Sequence, residues 1–83
     1  MIRWTPTALR DIESLTADVE ATADRLLAAI ASLTHHPAMG RPGRVRGTRE
    51  LVVAPYIVVY CQVSGNSELI AVLNGARRWP DSF

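Results

Sequence analysis

The chain contains no lysine: all nine of its Lys+Arg residues are arginines. That excludes a lysine base or Schiff-base amine and leaves only planar guanidinium forks, which suit phosphate, carboxylate or base-edge contacts. A GC-rich coding sequence produces the same replacement with no functional cause. The single cysteine, Cys61, excludes an intrachain disulfide and any metal or redox site built on thiols alone, which fits a reducing compartment. No apolar run approaches the roughly 18 residues needed to span a membrane. The opening MIRWTPTALRDIESL has no apolar segment of a secretory signal. A cytoplasmic protein with no membrane partner is expected. The chain also has no Gly-x-Ser-x-Gly and no phosphate-binding glycine signature.

What is present describes one small folded unit. Eighty-three residues, 48% hydrophobic and 20% charged, exclude disorder and low complexity and allow a single core, so residues 1–83 are read as one domain. A chain of this size buries only about 60 to 65% of its unfolded surface, which leaves marginal stability and room for a stabilising partner. The net charge of +1 hides an asymmetry. Residues 1–40 carry Arg3, Arg10 and Arg25 against Asp11, Glu13, Asp18, Glu20 and Asp24. Residues 41–83 carry Arg41, Arg44, Arg46, Arg49, Arg77 and Arg78 against only Glu50, Glu68 and Asp81.

Ile2 to Trp4 reads as a short strand, followed by Thr5 as a helix cap and Pro6 at the first helical position, where its missing N–H costs nothing. Ala8, Leu9, Ile12 and Leu15 then recur at helical spacing. A second apolar series, Val19, Ala23, Leu26, Ile30 and Leu33, predicts a further helix restarting at Thr16 or Asp18 or one bent helix, with Pro37 preventing continuation. Residues 34–48, THHPAMGRPGRVRGT, read as a long loop. After it the period becomes that of strands: Arg49 to Ala54, Tyr56 to Val63 and Glu68 to Leu73, separated by Pro55 and by Ser64-Gly65-Asn66. The order β-α-α-β-β-β predicts an α+β domain with an N-terminal helical hairpin packed on a small antiparallel sheet.

Along Tyr56 to Val63, strand alternation puts Tyr56, Val58, Tyr60 and Gln62 on one face and Ile57, Val59, Cys61 and Val63 on the other. Both faces are largely apolar. The helices cover one, so the other must meet the C-terminal segment, a partner chain or a second copy.

Sites that carry chemistry are few. His35-His36 lack a Cys, Asp or Glu at ligand spacing, so they read as a helix end, with no metal or cofactor expected. Cys61, in mid-strand, reads as a buried small hydrophobe. Two clusters remain: Gly40 to Arg49, with four arginines, and Asn74 to Pro80, with Arg77, Arg78 and Trp79. If the start of the Arg49 strand and the end of the last strand share one end of the sheet, both clusters meet on one basic, aromatic-edged surface. The alternative is a solvated loop with arginine–carboxylate pairs to Glu50 and Asp81.

The ordered run GRPGRVRGTRELVV…YIVVY…LIAVLNGARRWP resembles the RelE/ParE superfamily of type II toxin–antitoxin toxins. The resemblance extends from Trp4-Thr5-Pro6 through Pro37 to Pro42, Arg49-Glu50-Leu51 and Tyr56 to Tyr60 to Leu73 to Arg78. It implies a compact sheet with a helical hairpin. It also implies a cognate antitoxin whose C-terminal segment wraps the toxin in a hetero-oligomer, covering the surplus apolar surface.

Two targets follow from that resemblance. RelE-like members cut mRNA on the ribosome; ParE-like members inhibit DNA gyrase. RelE-like chains tend to carry an arginine where this chain has Ile57, and often finish in a catalytic Tyr or His where this chain reads Trp79-Pro80-Asp81-Ser82-Phe83. Leu73-Asn74-Gly75-Ala76 is similar to the Leu-His-Gly-Ala of ParE-like chains. The expected activity is therefore gyrase binding through Arg46, Arg49, Arg77, Arg78 and Trp79. The alternative is a ribosome-dependent endoribonuclease with Glu50 as base, Arg49 and Arg77 on the phosphate, and Tyr60 or Arg78 assisting. A third reading is an inactivated relative retained as an antitoxin-binding module.

Overall fold

The structure, a computed structural model, describes residues 2–16 and 20–75, with side chains 15–23 excluded. Within them the chain forms β1 (Ile2–Trp4), α1 (Pro6–Thr16), α2 (Glu20–Ala31), a 3-10 turn (Ser32–Thr34), β2 (Arg41–Pro42), β3 (Arg49–Val53), β4 (Tyr56–Val63) and β5 (Asn66–Asn74). The helical region is two helices, and both pack on one side of the sheet. The expected α+β class holds.

Thr5 joins the first strand to the first helix and to the sheet. Its Oγ1 accepts the Ala8 amide at 3.2 Å, satisfying one of the orphan donors of the first turn, and donates to the Ile70 carbonyl at 3.0 Å. Ala8 and Ile12, one turn apart, are buried, while Leu9 is 47% exposed. The apolar stripe of α1 is therefore narrower than the sequence spacing predicted, and Leu9 lies off it. On α2 and the turn after it, Leu26, Ile30 and Leu33 are buried as expected; Leu15, Val19 and Ala23 lie outside the described side chains. Arg25 donates to the Ala54 carbonyl at 3.0 Å and ties α2 to the β3–β4 turn.

The strands form one five-stranded sheet in the order β1-β5-β4-β3-β2. β1 runs parallel to β5; the other neighbours are antiparallel. The fifth strand, β2, lies inside the segment expected to be loop, pairing Arg41 with Glu50 and Pro42 with Arg49. β4 keeps its expected bounds, while β5 is longer than expected because Asn66 already pairs with Val63 across the Ser64-Gly65 turn. Both turn residues have positive φ, 51° and 80°, as the type I′ hairpin turn requires.

The β4–β5 register slips between Val59 and Tyr60: Val59 pairs with Ala71 but Tyr60 with Leu69, leaving Ile70 as the extra residue of a bulge. Strict alternation would put Leu69 and Val72 on opposite faces. The bulge brings both into the core with Leu51, Val58 and Tyr60 from the sheet and Ala8, Ile12, Leu26, Ile30 and Leu33 from the helical layer. On the second face, the apolar row of Val52, Ile57 and Leu73 flanks the row of Glu50, Val59 and Ala71. Val59 and Ala71 are buried there, whereas Val52 and Val63 are exposed.

Candidate functional site: an anchored arginine hairpin

Arg41 and Arg49 lie on the paired strands β2 and β3, and Arg44 and Arg46 are exposed on the turn between them; the expected arginine–carboxylate pair to Glu50 forms, with Arg41 as its cation. Within the turn, the Gly43 amide donates to the Thr48 carbonyl at 2.8 Å and the Thr48 amide to the Val45 carbonyl at 3.0 Å. Gly47 supplies the positive φ of 86°.

Three side chains from the sheet hold this hairpin. Glu50 is only 6% exposed. Its Oε1 accepts from Arg41 Nε at 3.2 Å and Nη2 at 3.1 Å, and its Oε2 accepts the Arg44 amide at 3.1 Å. Both carboxylate oxygens are therefore engaged, one in an ion pair and one on the backbone of the turn. A buried charge needs this kind of compensation, because leaving it unpaired costs far more than the pair contributes. Tyr60 is fully buried. Its hydroxyl donates to the Pro37 carbonyl at 2.8 Å and accepts the Gly40 amide at 2.9 Å. Arg49 donates from Nη1 to the carbonyls of Gly40 at 2.6 Å and Ala38 at 3.4 Å.

Gly40 sits where these anchors meet. A Cβ there would come within 2.8 Å of the Tyr60 hydroxyl and 2.9 Å of the Glu50 carbonyl, and backbone cannot swing aside. Gly40→Ala is expected to lower the unfolding free energy by about 1 to 3 kcal/mol, the usual cost of overpacking. Urea denaturation checks this, and an unchanged midpoint would show that the segment before β2 shifts freely.

The structure thus brings Arg49, Glu50 and Tyr60 together, but their polar atoms are engaged within the protein, by the Arg41 side chain and by backbone groups. What the hairpin offers outward is Arg46, which is exposed, together with Arg44 and the outer part of Arg41, whose side chain is 59% exposed despite its ion pair. Ile57 lies half-buried on the second face, in register with Val52 and Leu73, so that position supplies no cation.

The expected meeting of the two arginine clusters fails at the level of the strands. β3 and β5 are both antiparallel to β4 and so run the same way: Arg49 lies in the row of Tyr60 and Leu69, while Asn74 lies in the row of Val53 and Tyr56. Gly75 then donates to the Pro55 carbonyl at 2.9 Å. The start of β3 and the end of β5 are at opposite ends of the sheet, about 13 Å apart at the rise of an extended strand. Arg77, Arg78 and Trp79 lie outside the described residues.

His35 and His36 are exposed, and no group of three or more His, Cys, Asp or Glu among the described residues could hold a metal ion. Cys61 is half-buried, not buried as its mid-strand position suggested; burial raises its thiol pKa, with the Glu68 carboxylate adding to the effect. That makes it a poorer nucleophile than an ordinary cysteine. No helix among the described residues is long and apolar enough to cross a membrane.

Comparison with known proteins agrees with this geometry. A family model described as the ParE toxin of the type II toxin–antitoxin system parDE matches residues 2–79. A protein of Sinorhizobium fredii named "Putative toxin Y4kP" is 40% identical over 89 residues, covering 95% of this chain and 92% of the relative. Among solved structures, the chromosomal ParDE system of P. aeruginosa has a chain that superposes with a TM-score of 0.75 at 15% identity, over 88% of this chain and 92% of that one. A chain of the RelBE2 toxin–antitoxin complex of Mycobacterium tuberculosis gives a TM-score of 0.66 at 25% identity, over 89% and 95%.

Proposed function

The chain belongs to the ParE toxin family of type II toxin–antitoxin systems, and from that premise we propose that it inhibits growth by binding DNA gyrase, without cutting RNA, and that a cognate antitoxin neutralises it. The observation that carries the binding reading is the state of Glu50. A general base must come within about 2.6 to 3.2 Å of the proton it removes. Glu50 is buried, and both its oxygens already accept from Arg41 and Arg44. Tyr60, the other sequence-predicted assistant, is buried with its hydroxyl engaged twice. Arginines can stabilise a phosphate, but a guanidinium stays protonated and is a poor proton shuttle. These features favour a toxin that acts by contact.

The antitoxin reading draws on two features. Both structural relatives come from toxin–antitoxin systems. The second face of the sheet has a buried apolar centre, Val59 and Ala71, edged by exposed Val52 and Val63. A partner segment laid over that face would bury the rim and stabilise the toxin by mass action.

Purified toxin is expected to inhibit gyrase supercoiling and to leave ribosome-dependent translation intact; the reverse pattern would overturn the proposal in favour of the endoribonuclease. Loss of both effects would make the chain an inactive antitoxin-binding module. Glu50→Gln does not discriminate cleanly, because an amide cannot accept with both of its terminal atoms and one hairpin anchor is lost whichever way it turns. Arg46, Arg77, Arg78 and Trp79 are the proposed contact residues, with Arg49 holding the hairpin that presents Arg46 through its bonds to Gly40 and Ala38. Arg77→Glu with Arg78→Glu is expected to abolish growth inhibition by turning attraction into repulsion. Full toxicity of that double variant would remove the C-terminal arginines from the contact surface.

A further inference from the structure

We propose that the arginine hairpin binds the phosphate backbone of duplex DNA without reading its sequence. The inference goes beyond the gyrase reading and does not need it, since it concerns the free toxin and bare DNA. It begins with a single-sign surface. From Arg41 to Arg49 the chain carries four arginines and no aspartate or glutamate. The first carboxylate after them, Glu50, faces inward, 6% exposed, with its charge matched by Arg41. The Glu50 ion pair therefore offsets Arg41, and Arg44 and Arg46 stand exposed on the turn beyond it.

The second ground is pre-organisation. A flexible arginine-rich loop would lose much of its conformational freedom on meeting a polyanion, which subtracts from affinity. Here the cost is met on folding: Glu50 holds the Arg44 amide, Tyr60 holds Gly40 and Pro37, and Arg49 holds Gly40 and Ala38. Arg46 sits on the turn these bonds fix. It is exposed and makes no hydrogen bond among the described residues.

The third ground selects the form of nucleic acid. Proteins that hold single strands stack the bases on exposed aromatic rings. Among the described residues the aromatics are Trp4, Tyr56 and Tyr60; Tyr60 is wholly buried and the other two pack against the core. The hairpin offers guanidinium forks and no stacking platform. That combination fits a duplex, whose phosphates face outward and whose bases need not be touched.

The test is fluorescence anisotropy of a labelled 20-base-pair duplex titrated with free toxin at several salt concentrations. Sequence-independent binding is expected with a Kd of about 10⁻⁶ to 10⁻⁴ M and, for two or three phosphate contacts, a log–log salt slope of about −2 to −3. Arg46→Glu is expected to weaken binding roughly tenfold and flatten the slope by about one unit or more. Arg10→Glu, an equal charge reversal on the exposed face of α1, should change affinity by less than about twofold, as expected for a charge away from the contact. Arg46→Gln provides a milder variant, and thermal melts establish that each variant is folded. Absence of binding at low salt, equal losses in the Arg46 and Arg10 reversals, or tighter binding to single-stranded RNA of the same length would each overturn the proposal. A toxin that inhibits gyrase but ignores bare DNA would keep the proposed function and lose this inference; one that binds DNA but spares gyrase would do the opposite.

Discussion

Tyr60→Ala is expected to lower the unfolding free energy by about 3 to 5 kcal/mol, the usual cost of removing a large ring from a packed core. The ring is fully buried, in the same cluster as Val58, Leu69 and Leu51, so its removal leaves a cavity between sheet and helices. Its hydroxyl adds a separate contribution, bridging the Gly40 amide and the Pro37 carbonyl. Tyr60→Phe isolates that part: the ring stays, but the Gly40 amide loses its acceptor and the Pro37 carbonyl keeps only the longer bond from Gln62 Nε2 at 3.4 Å, at about 1 to 3 kcal/mol. In the phenylalanine variant, hydrogen exchange should also accelerate at Gly40 and leave the centre of β4 protected. Wild-type exchange at Gly40 would show that the hydroxyl does not hold the hairpin.

Ile30→Ala should lower stability by about 2 to 4 kcal/mol, through lost transfer free energy and the space left behind. Ile30 is 3% exposed and lies one turn after Leu26 on the buried side of α2. In a domain whose whole stability is about 5 to 15 kcal/mol, that is a large share. Leu27→Ala is the control, since Leu27 is 44% exposed on the same helix. Equal denaturant midpoints for the two variants would place the helix the other way round.

These two positions also show what the sequence made legible. Ile30 was readable because Leu26, Ile30 and Leu33 keep helical spacing over two turns, and alternation put Tyr56, Val58 and Tyr60 on one face with β4 bounded as observed. Local pattern decided both. Leu9 misled because it sits beside the true stripe of Ala8 and Ile12, and only the width of the contact with the sheet decides which leucine is covered. β2 was invisible for another reason. Arg41-Pro42 has no strand propensity, and its two pairs with Glu50 and Arg49 exist only because the chain folds back through the turn between them.

The site shows the same division. Charge, arginine content and the residues Arg49, Glu50 and Tyr60 were all visible, but their roles were not. Glu50 looks like a base in a sequence and becomes a backbone anchor once Arg41 is seen opposite it. Gly40 drew no notice as a single residue, although its lack of a side chain is what lets Tyr60 and Glu50 close on the hairpin. The start of β3 and the end of β5, expected at one end of the sheet, lie at opposite ends: strands two places apart in an antiparallel meander run alike, so the start of one and the end of the other lie apart.

Asp11 has a consequence for how the sheet ends. β1 pairs with β5 only from Ser67 to Leu69, and beyond it the outer rim of β5 would present unpaired amides. Asp11 Oδ2 accepts the Val72 amide on that rim at 2.9 Å. A helix carboxylate thus occupies a position where a foreign strand would otherwise dock, and a bound anion is a poor template for self-association. The unpaired rim of a sheet is a ready template for pairing with another chain. In this protein a side chain from the helical layer guards one such rim before any partner arrives.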